Sequence, residues 1–180
     1  MSEKIRSTSC VSFSDINSFK AHLDKWYPNT KIFATSGGFD PVHVGHLRCF
    51  DDMRNISRSK YQDDARTVVI VNGDGFLERK KGFAFMNEEE RLEIISGFRS
   101  VDFAVLWHSD DQTVCGALEI IQPDFFCKGG DRDSFENVPE SKVCDAIECQ
   151  VLFNVGGGKV QSSSSLVDRM ETHGKSTFNI

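Results

Sequence analysis

TSGGFDPVHVGHLR, residues 35–48, follows the apolar run KIFAT at 31–35 and opens a helical pattern near Val44. The order is strand, glycine turn, helix. Gly37 and Gly38 let the main chain approach a ligand closely, and the helix start offers unpaired N–H groups and the positive end of its dipole. His43 and His46 are three residues apart and share a helix face, with Gly45 removing a side chain between them.

Working outward, TVVIVNG at 67–73 is apolar and β-branched on both faces, as expected of a parallel strand covered on both sides. VDFAVLW at 101–107, DFFCKGGD at 124–131 and CQVLFNV at 149–155 read as three further strands. Helices are predicted over 14–27, from Asn87 with Glu88, Glu89 and Glu90 in the first turn, over 111–121, partly over 134–147, and from LVDRMETH at 166–173. Residues 75–81 read as a loop, and residues 1–12 as polar and loose. The alternation predicts an α/β fold, a Rossmann-like open parallel sheet of about five strands with helices on both faces. Residues 1–30 form an N-terminal extension with a short packing helix or contact surface, and 31–180 the main domain. In such sheets ligands bind beyond the carboxyl ends of the strands. SGGFD, NGDG, KGGD and GGGKVQSSSS all fall at that edge.

Composition narrows the function. The 180 residues are 39% hydrophobic and 27% charged, ordinary for a globular chain. A net charge of -6 argues against a nucleic-acid partner, because a phosphate backbone is met by a basic surface. A small anionic ligand stays compatible, since a local nest of amides and a few cations holds it. The six cysteines include no CxxC pair and read as reduced thiols; Cys144 and Cys149 are near neighbours but lack two further zinc ligands at usable spacing. No apolar stretch suits a signal peptide or a membrane span, so no membrane partner is expected and a cytoplasmic location is.

Two histidines at a helix start are, taken alone, surface residues or half of a metal site. Here HEXXH and a GxGxxG fingerprint are both absent, and the histidines coincide with a strand, a double glycine and a helix start. Asp40, Asn72, Asp74 and Lys81 lie on loops leaving strands at the same edge and are candidate substrate contacts; the acids serve equally as turn caps. Ser162, Ser163 and Ser164 precede Leu166 and Val167, where hydroxyls and helix amides hold phosphates or simply cap the helix.

The stretch TSGGFDPVHVGH resembles the signature of the HxGH nucleotidyltransferases, the cytidylyltransferase-like family. Within it the chain is most similar to the adenylyltransferase domain of ADP-heptose synthase. The likeness rests on TSGGFD at 35–40, HVGH at 43–46, VNGD at 71–74, EER at 89–91, VDF at 101–103, CKGGD at 127–131 and SSS at 162–164, and spans roughly residues 31–170. Gly38 stands where that group has Cys, residues 75–81 match through Arg79 and Lys81, and no sugar-kinase segment is present.

The resemblance implies transfer of a nucleotidyl group from a nucleoside triphosphate, ATP favoured, to a small phosphorylated acceptor such as a sugar 1-phosphate. It makes 31–180 a nucleotidyltransferase domain and His43 and His46 the catalytic pair. It assigns Ser36, Gly37, Gly38, Phe39, Gly45, Arg91, Lys128, Gly129, Asp131 and Ser162, Ser163 and Ser164 to the nucleotide. Mg2+ is expected with the triphosphate, held by phosphate oxygens and water rather than by protein ligands. A homodimer is the prior assembly for this family. The alternatives are a CTP-dependent enzyme acting on glycerol 3-phosphate or a similar alcohol phosphate, flavin or pantetheine adenylylation, and a noncatalytic nucleotide-binding module.

Overall fold

The computed structural model describes residues 10–130, 139–158 and 161–174. Among them lie β1 (Val11–Phe13), α1 (Ile16–Trp26), β2 (Lys31–Gly37), α2 (Val44–Tyr61), β3 (Ala65–Asn72), α3 (Asp74–Lys81) and α4 (Glu88–Ser96). They continue with β4 (Phe103–Trp107), α5 (Cys115–Ile121), β5 (Phe125–Gly130), α6 (Ser141–Ala146), β6 (Gln150–Gly158) and α7 (Ser163–Gly174). The strands form one parallel sheet in the order β1-β4-β3-β2-β5-β6.

The period of two along the central strands divides the core. On one face Val68 and Ile70 of β3 join Phe19 of α1, Leu118 of α5 and Phe126 of β5. On the other, Val69 and Val71 meet Phe50 and Met53 of α2 and Ile95 of α4. Residues with such apolar side chains on both sides of a strand demand helices on both faces, and the structure supplies them.

Among the described residues the sheet has six strands, where about five were expected. The sixth, β1, has only three residues, too short for a period to register, and it draws Val11 and Ser12 out of the segment read as loose. It pairs with β4, and Phe13 packs on Phe19 and Phe103 with ring centroids 5.1 and 6.4 Å away. Phe19, Ile16 and Leu23 of α1 are buried in the same core.

Residues 75–81, read as a loop, belong to helix α3. Its apolar residues Phe76 and Leu77 are adjacent instead of one turn apart, which hides the helical period. Asp74 in the first turn and Arg79, Lys80 and Lys81 in the last suit the dipole, and left-handed Gly82 closes the end. Helix α5 begins at Cys115 rather than 111, because Asp111 accepts from the Thr113 N–H and the Ser109 hydroxyl and holds 109–113 as a turn. All six cysteines are free thiols, and no helix among the described residues is long and apolar enough to cross a membrane.

Strand β6 runs on through its glycines to Gly158, past the expected end at 155. Gly156 has φ 88° and lies against α2 so closely that an added Cβ would be 2.6 Å from the Cys49 nitrogen. Its own N–H donates to Asp52 Oδ2 at 2.9 Å, fixing the height of α2 over the sheet. Gly156→Ala is expected to cost about 1–3 kcal/mol. A urea unfolding curve that leaves the midpoint unchanged would refute this close approach.

Candidate active site

Chain order reverses direction at β2. Strands β3 and β4 lie on one side of it, β5 and β6 on the other. An open α/β sheet leaves a crevice at such a switch point. Here β2 and β5 pair at Phe33 with Phe125 and Ala34 with Phe126. Beyond that, the Thr35 hydroxyl donates to the Cys127 carbonyl at 2.9 Å, and the strands part. A cavity of about 460 Å³ opens there, at the carboxyl edge of the sheet.

Ser36, Gly37, Gly38 and Phe39 form its floor. Phe39 takes a left-handed φ of 53° and is buried edge-on against His46, with centroids 4.9 Å apart. A Cβ on Gly38 would come within 2.5 Å of Leu77 Cδ2, so α3 packs directly on the turn.

Both histidines line the cavity, with Gly45 between them. His43 is the N-cap of α2, and its Nδ1 accepts from the Gly45 N–H at 3.1 Å. His46 Nδ1 accepts from the His43 N–H at 3.2 Å. The rings stack at 3.8 Å between centroids. With Nδ1 accepting in each, a neutral ring carries its proton on Nε2 and is an Nε2–H donor. Burial, reinforced by neighbouring His43, lowers the His46 pKa from 6.5 to about 3. The ring is therefore neutral at physiological pH.

Ser162, Ser163 and Ser164 also line the cavity. Ser162 Oγ accepts from the Ser165 N–H at 3.2 Å and caps α7, while the Ser163 hydroxyl donates to the Pro41 carbonyl at 2.8 Å. The last bond ties the start of α7 to the turn before α2, so two helix N-termini converge on one cavity, a favourable setting for an anion. Lys128 and Gly129 of β5 also line it. Lys128 Nζ lies 3.2 Å from Glu140 Oε2 and over the Phe126 ring. Asp131 lies outside the described residues.

Asn72 lines the cavity at the end of β3, but Asp40, Asp74, Lys81 and Arg91 do not. Asp40 is 1% exposed. It accepts from the Phe85 and Met86 N–H groups and from Lys81 Nζ, all at 2.8 Å. Burial by itself would raise its pKa, yet Lys81 and these two N–H groups hold the carboxyl below its usual range. The pair thus pins the loop before α4 under the histidine turn.

Arg91, expected at the nucleotide, is instead fully buried. Nη1 donates to the carbonyls of Gly38 (2.7 Å) and Asn72 (2.6 Å), Nε to that of Met86 (3.1 Å), and Nη2 pairs with Asp74 at 2.6 Å. Its planar fork is occupied in joining the ends of β2 and β3 to α4, and Arg91 is not among the residues that line the cavity.

Lys80, Gln112 and Glu140 also line the cavity, unforeseen from the sequence. The helical phase of α3 would have found Lys80, one turn after the lining residue Phe76. Gln112 and Glu140 arrive from distant loops and carry no local signal.

Residues 34–157 match the family model described as cytidylyltransferase-like. The bifunctional protein HldE of Hahella chejuensis is 38% identical over 103 residues, 56% of this chain and 20% of that protein. HldE of Gluconobacter oxydans is 31% identical over 153 residues, 83% of this chain and 30% of that one. The chain spans between about a fifth and a third of these curated relatives. A lipopolysaccharide core biosynthesis protein from Thermoplasma volcanium aligns with a TM-score of 0.57 at 24% identity, covering 68% of this chain and 94% of that one. A pantoate-beta-alanine ligase from Francisella tularensis, complexed with beta-gamma ATP and beta-alanine, aligns at 0.54 and 13% identity, covering 81% and 66%. Both structures share the fold.

Two measurements check this geometry. The unfolded His46 ring takes up a proton near 6.5 and the folded ring only near 3, so lowering the pH through that window favours the unfolded state. By NMR the His46 Cε1–H shift is expected to stay flat from about pH 8 to about pH 5; a midpoint near the ordinary histidine value would contradict its burial. Arg91→Met is expected to cost about 3–5 kcal/mol in urea unfolding, because it strands buried carbonyls and a carboxylate. Arg91→Lys should recover little of this, since one ammonium cannot span the partners of a guanidinium.

Proposed function

Because the chain belongs to the cytidylyltransferase-like family, a family of nucleotidyltransferases, we propose that it moves AMP from ATP to a sugar 1-phosphate such as heptose 1-phosphate. The observation that carries this reading is the stacked histidine pair, set with two helix N-termini in the cavity at the switch point. The choice of ATP and of a sugar phosphate rests on the likeness of CKGGD at 127–131 and VNGD at 71–74 to the adenylyltransferase domain of ADP-heptose synthase.

In this reaction a phosphate oxygen of the acceptor forms a bond to the α-phosphorus of ATP. The bond from that phosphorus to the bridging oxygen of the β-phosphate breaks, and pyrophosphate leaves with the electron pair. Negative charge gathers on the transferring and leaving groups, so positioning and charge stabilisation matter more than a protein nucleophile. The Nε2–H groups of His43 and His46 donate to those oxygens. Since His46 is neutral, it needs no proton exchange with solvent to do so. Ser162 and Ser163 at the start of α7 hold the outer phosphates.

Magnesium, when bound, neutralises phosphate charge. The acids closest to the turn, Asp40 and Asp74, are engaged with Lys81 and Arg91. Among the described residues no three His, Cys, Asp or Glu side chains gather as a metal cage. This donor set fits an ion carried in by the triphosphate and its waters, with no protein ligand assigned.

The test is pyrophosphate release with magnesium, crossing ATP and CTP with heptose 1-phosphate, other sugar 1-phosphates and glycerol 3-phosphate. Release is expected with ATP and a sugar 1-phosphate. Under those conditions His43→Ala and His46→Ala should each lower kcat on the order of 10²–10³-fold with little change in ATP affinity. Release confined to CTP and glycerol 3-phosphate would replace this reading with the cytidylyltransferase one. Measurable ATP binding without release from any pair would leave a binding module.

A further inference from the structure

Among the described residues two buried side-chain oxygens have no hydrogen-bond partner, Asn72 Oδ1 and Glu140 Oε2. They come from opposite sides of the switch point, one at the end of β3 and the other just before α6, yet both residues line the same cavity. Asn72 is 4% exposed and Glu140 6%. Glu140 Oε2 lies 3.2 Å from Lys128 Nζ, an ion-pair contact without hydrogen-bond alignment.

The two share a sheet face. Asn72 continues the alternation of Val68 and Ile70, whose core includes Leu118 of α5 and Cys144 of α6. Lys128, the partner of Glu140, follows Phe126 of that core by two residues. The histidines stand over the other face, at the start of α2, whose Phe50 and Met53 belong to the second core.

A buried acceptor without a donor destabilises the ligand-free fold and is completed by a ligand that brings one. Phosphate oxygens at neutral pH only accept, so they do not answer it; hydroxyl groups do. The terminal torsions of Asn and Glu are soft, so each oxygen turns toward a bound hydroxyl at small cost. In-line transfer sets the attacking acceptor opposite the leaving pyrophosphate. With pyrophosphate at the histidines and α7, the acceptor falls on the side of Asn72 and Glu140.

We infer that Asn72 and Glu140 are specificity-determining residues that read hydroxyl groups of the acceptor, making this a site for a polyhydroxylated phosphate ester. The inference rests on the nucleotidyltransferase reading and adds the residues that choose the acceptor.

Steady-state kinetics of wild type, Asn72→Leu and Glu140→Met test it, using the sugar 1-phosphate that supports turnover and its singly deoxygenated analogues. Each substitution is expected to lower kcat/KM for the full sugar on the order of tenfold, to leave it unchanged for one particular deoxy analogue, and to spare the KM of ATP. Asn72→Leu removes an unsatisfied acceptor, so the ligand-free protein should melt about 2–4 °C higher, which also shows that the variant folds. Equal losses for every acceptor, or an effect that follows 2′-deoxy-ATP instead, would overturn the inference while leaving the transferase intact. If no sugar phosphate is turned over, the transferase reading fails by itself. Calorimetric titration of the same sugars then decides the inference: weaker binding by Asn72→Leu to the full sugar alone supports it, and equal or absent binding overturns it.

Discussion

The guanidinium of Arg91 is the constraint on which the site depends. A charge buried this fully is tolerated only when its donors are answered, and here the carbonyls of Gly38, Asn72 and Met86 and the carboxylate of Asp74 answer them. These acceptors follow β2, end β3, precede α4 and begin α3. One side chain therefore sets the spacing of four segments. With the Gly38 carbonyl drawn inward, the chain turns through left-handed Phe39 to Asp40, which Lys81 and two N–H groups hold. His43 then caps α2 where both imidazoles reach the cavity.

The far wall is set by contacts of a different kind. Gly156 lies against the backbone of α2, and Ser163 reaches Pro41, so β6 and α7 are drawn over the histidines by groups too small to keep them away. Among the described residues, polar exceptions gather at this cavity: a histidine whose pKa burial depresses and two buried oxygens without a hydrogen-bond partner. Local rules of stability are relaxed where a ligand completes the interaction, and kept where the frame must hold without one.

Much of this was legible beforehand because it is local. The apolar strands, the double glycine, the paired histidines and the Asn87 cap act over a few residues, and spacing along the chain reports them. Strand β1 was not legible because three residues carry no period, and α3 because Phe76 and Leu77 stand side by side. Arg91, Asp40 and Lys81 were placed at the right edge of the sheet but on the ligand. A sequence gives the position of a charge along an element, and not whether its partner is a phosphate or a carbonyl from another loop.

By itself, the sequence determined the parallel α/β sheet, the edge at which the cavity opens and the family signature from Thr35 to His46. Each of these follows from periodicity, turn chemistry or helix-end electrostatics, which neighbours in the chain decide. Only the tertiary structure separated the residues that line the cavity from those that brace it, and brought Glu140 to the cavity that Asn72 also lines. The reason is physical: burial and hydrogen-bond partnership are properties of segments meeting across long separations, and no spacing along the chain encodes which of them will meet.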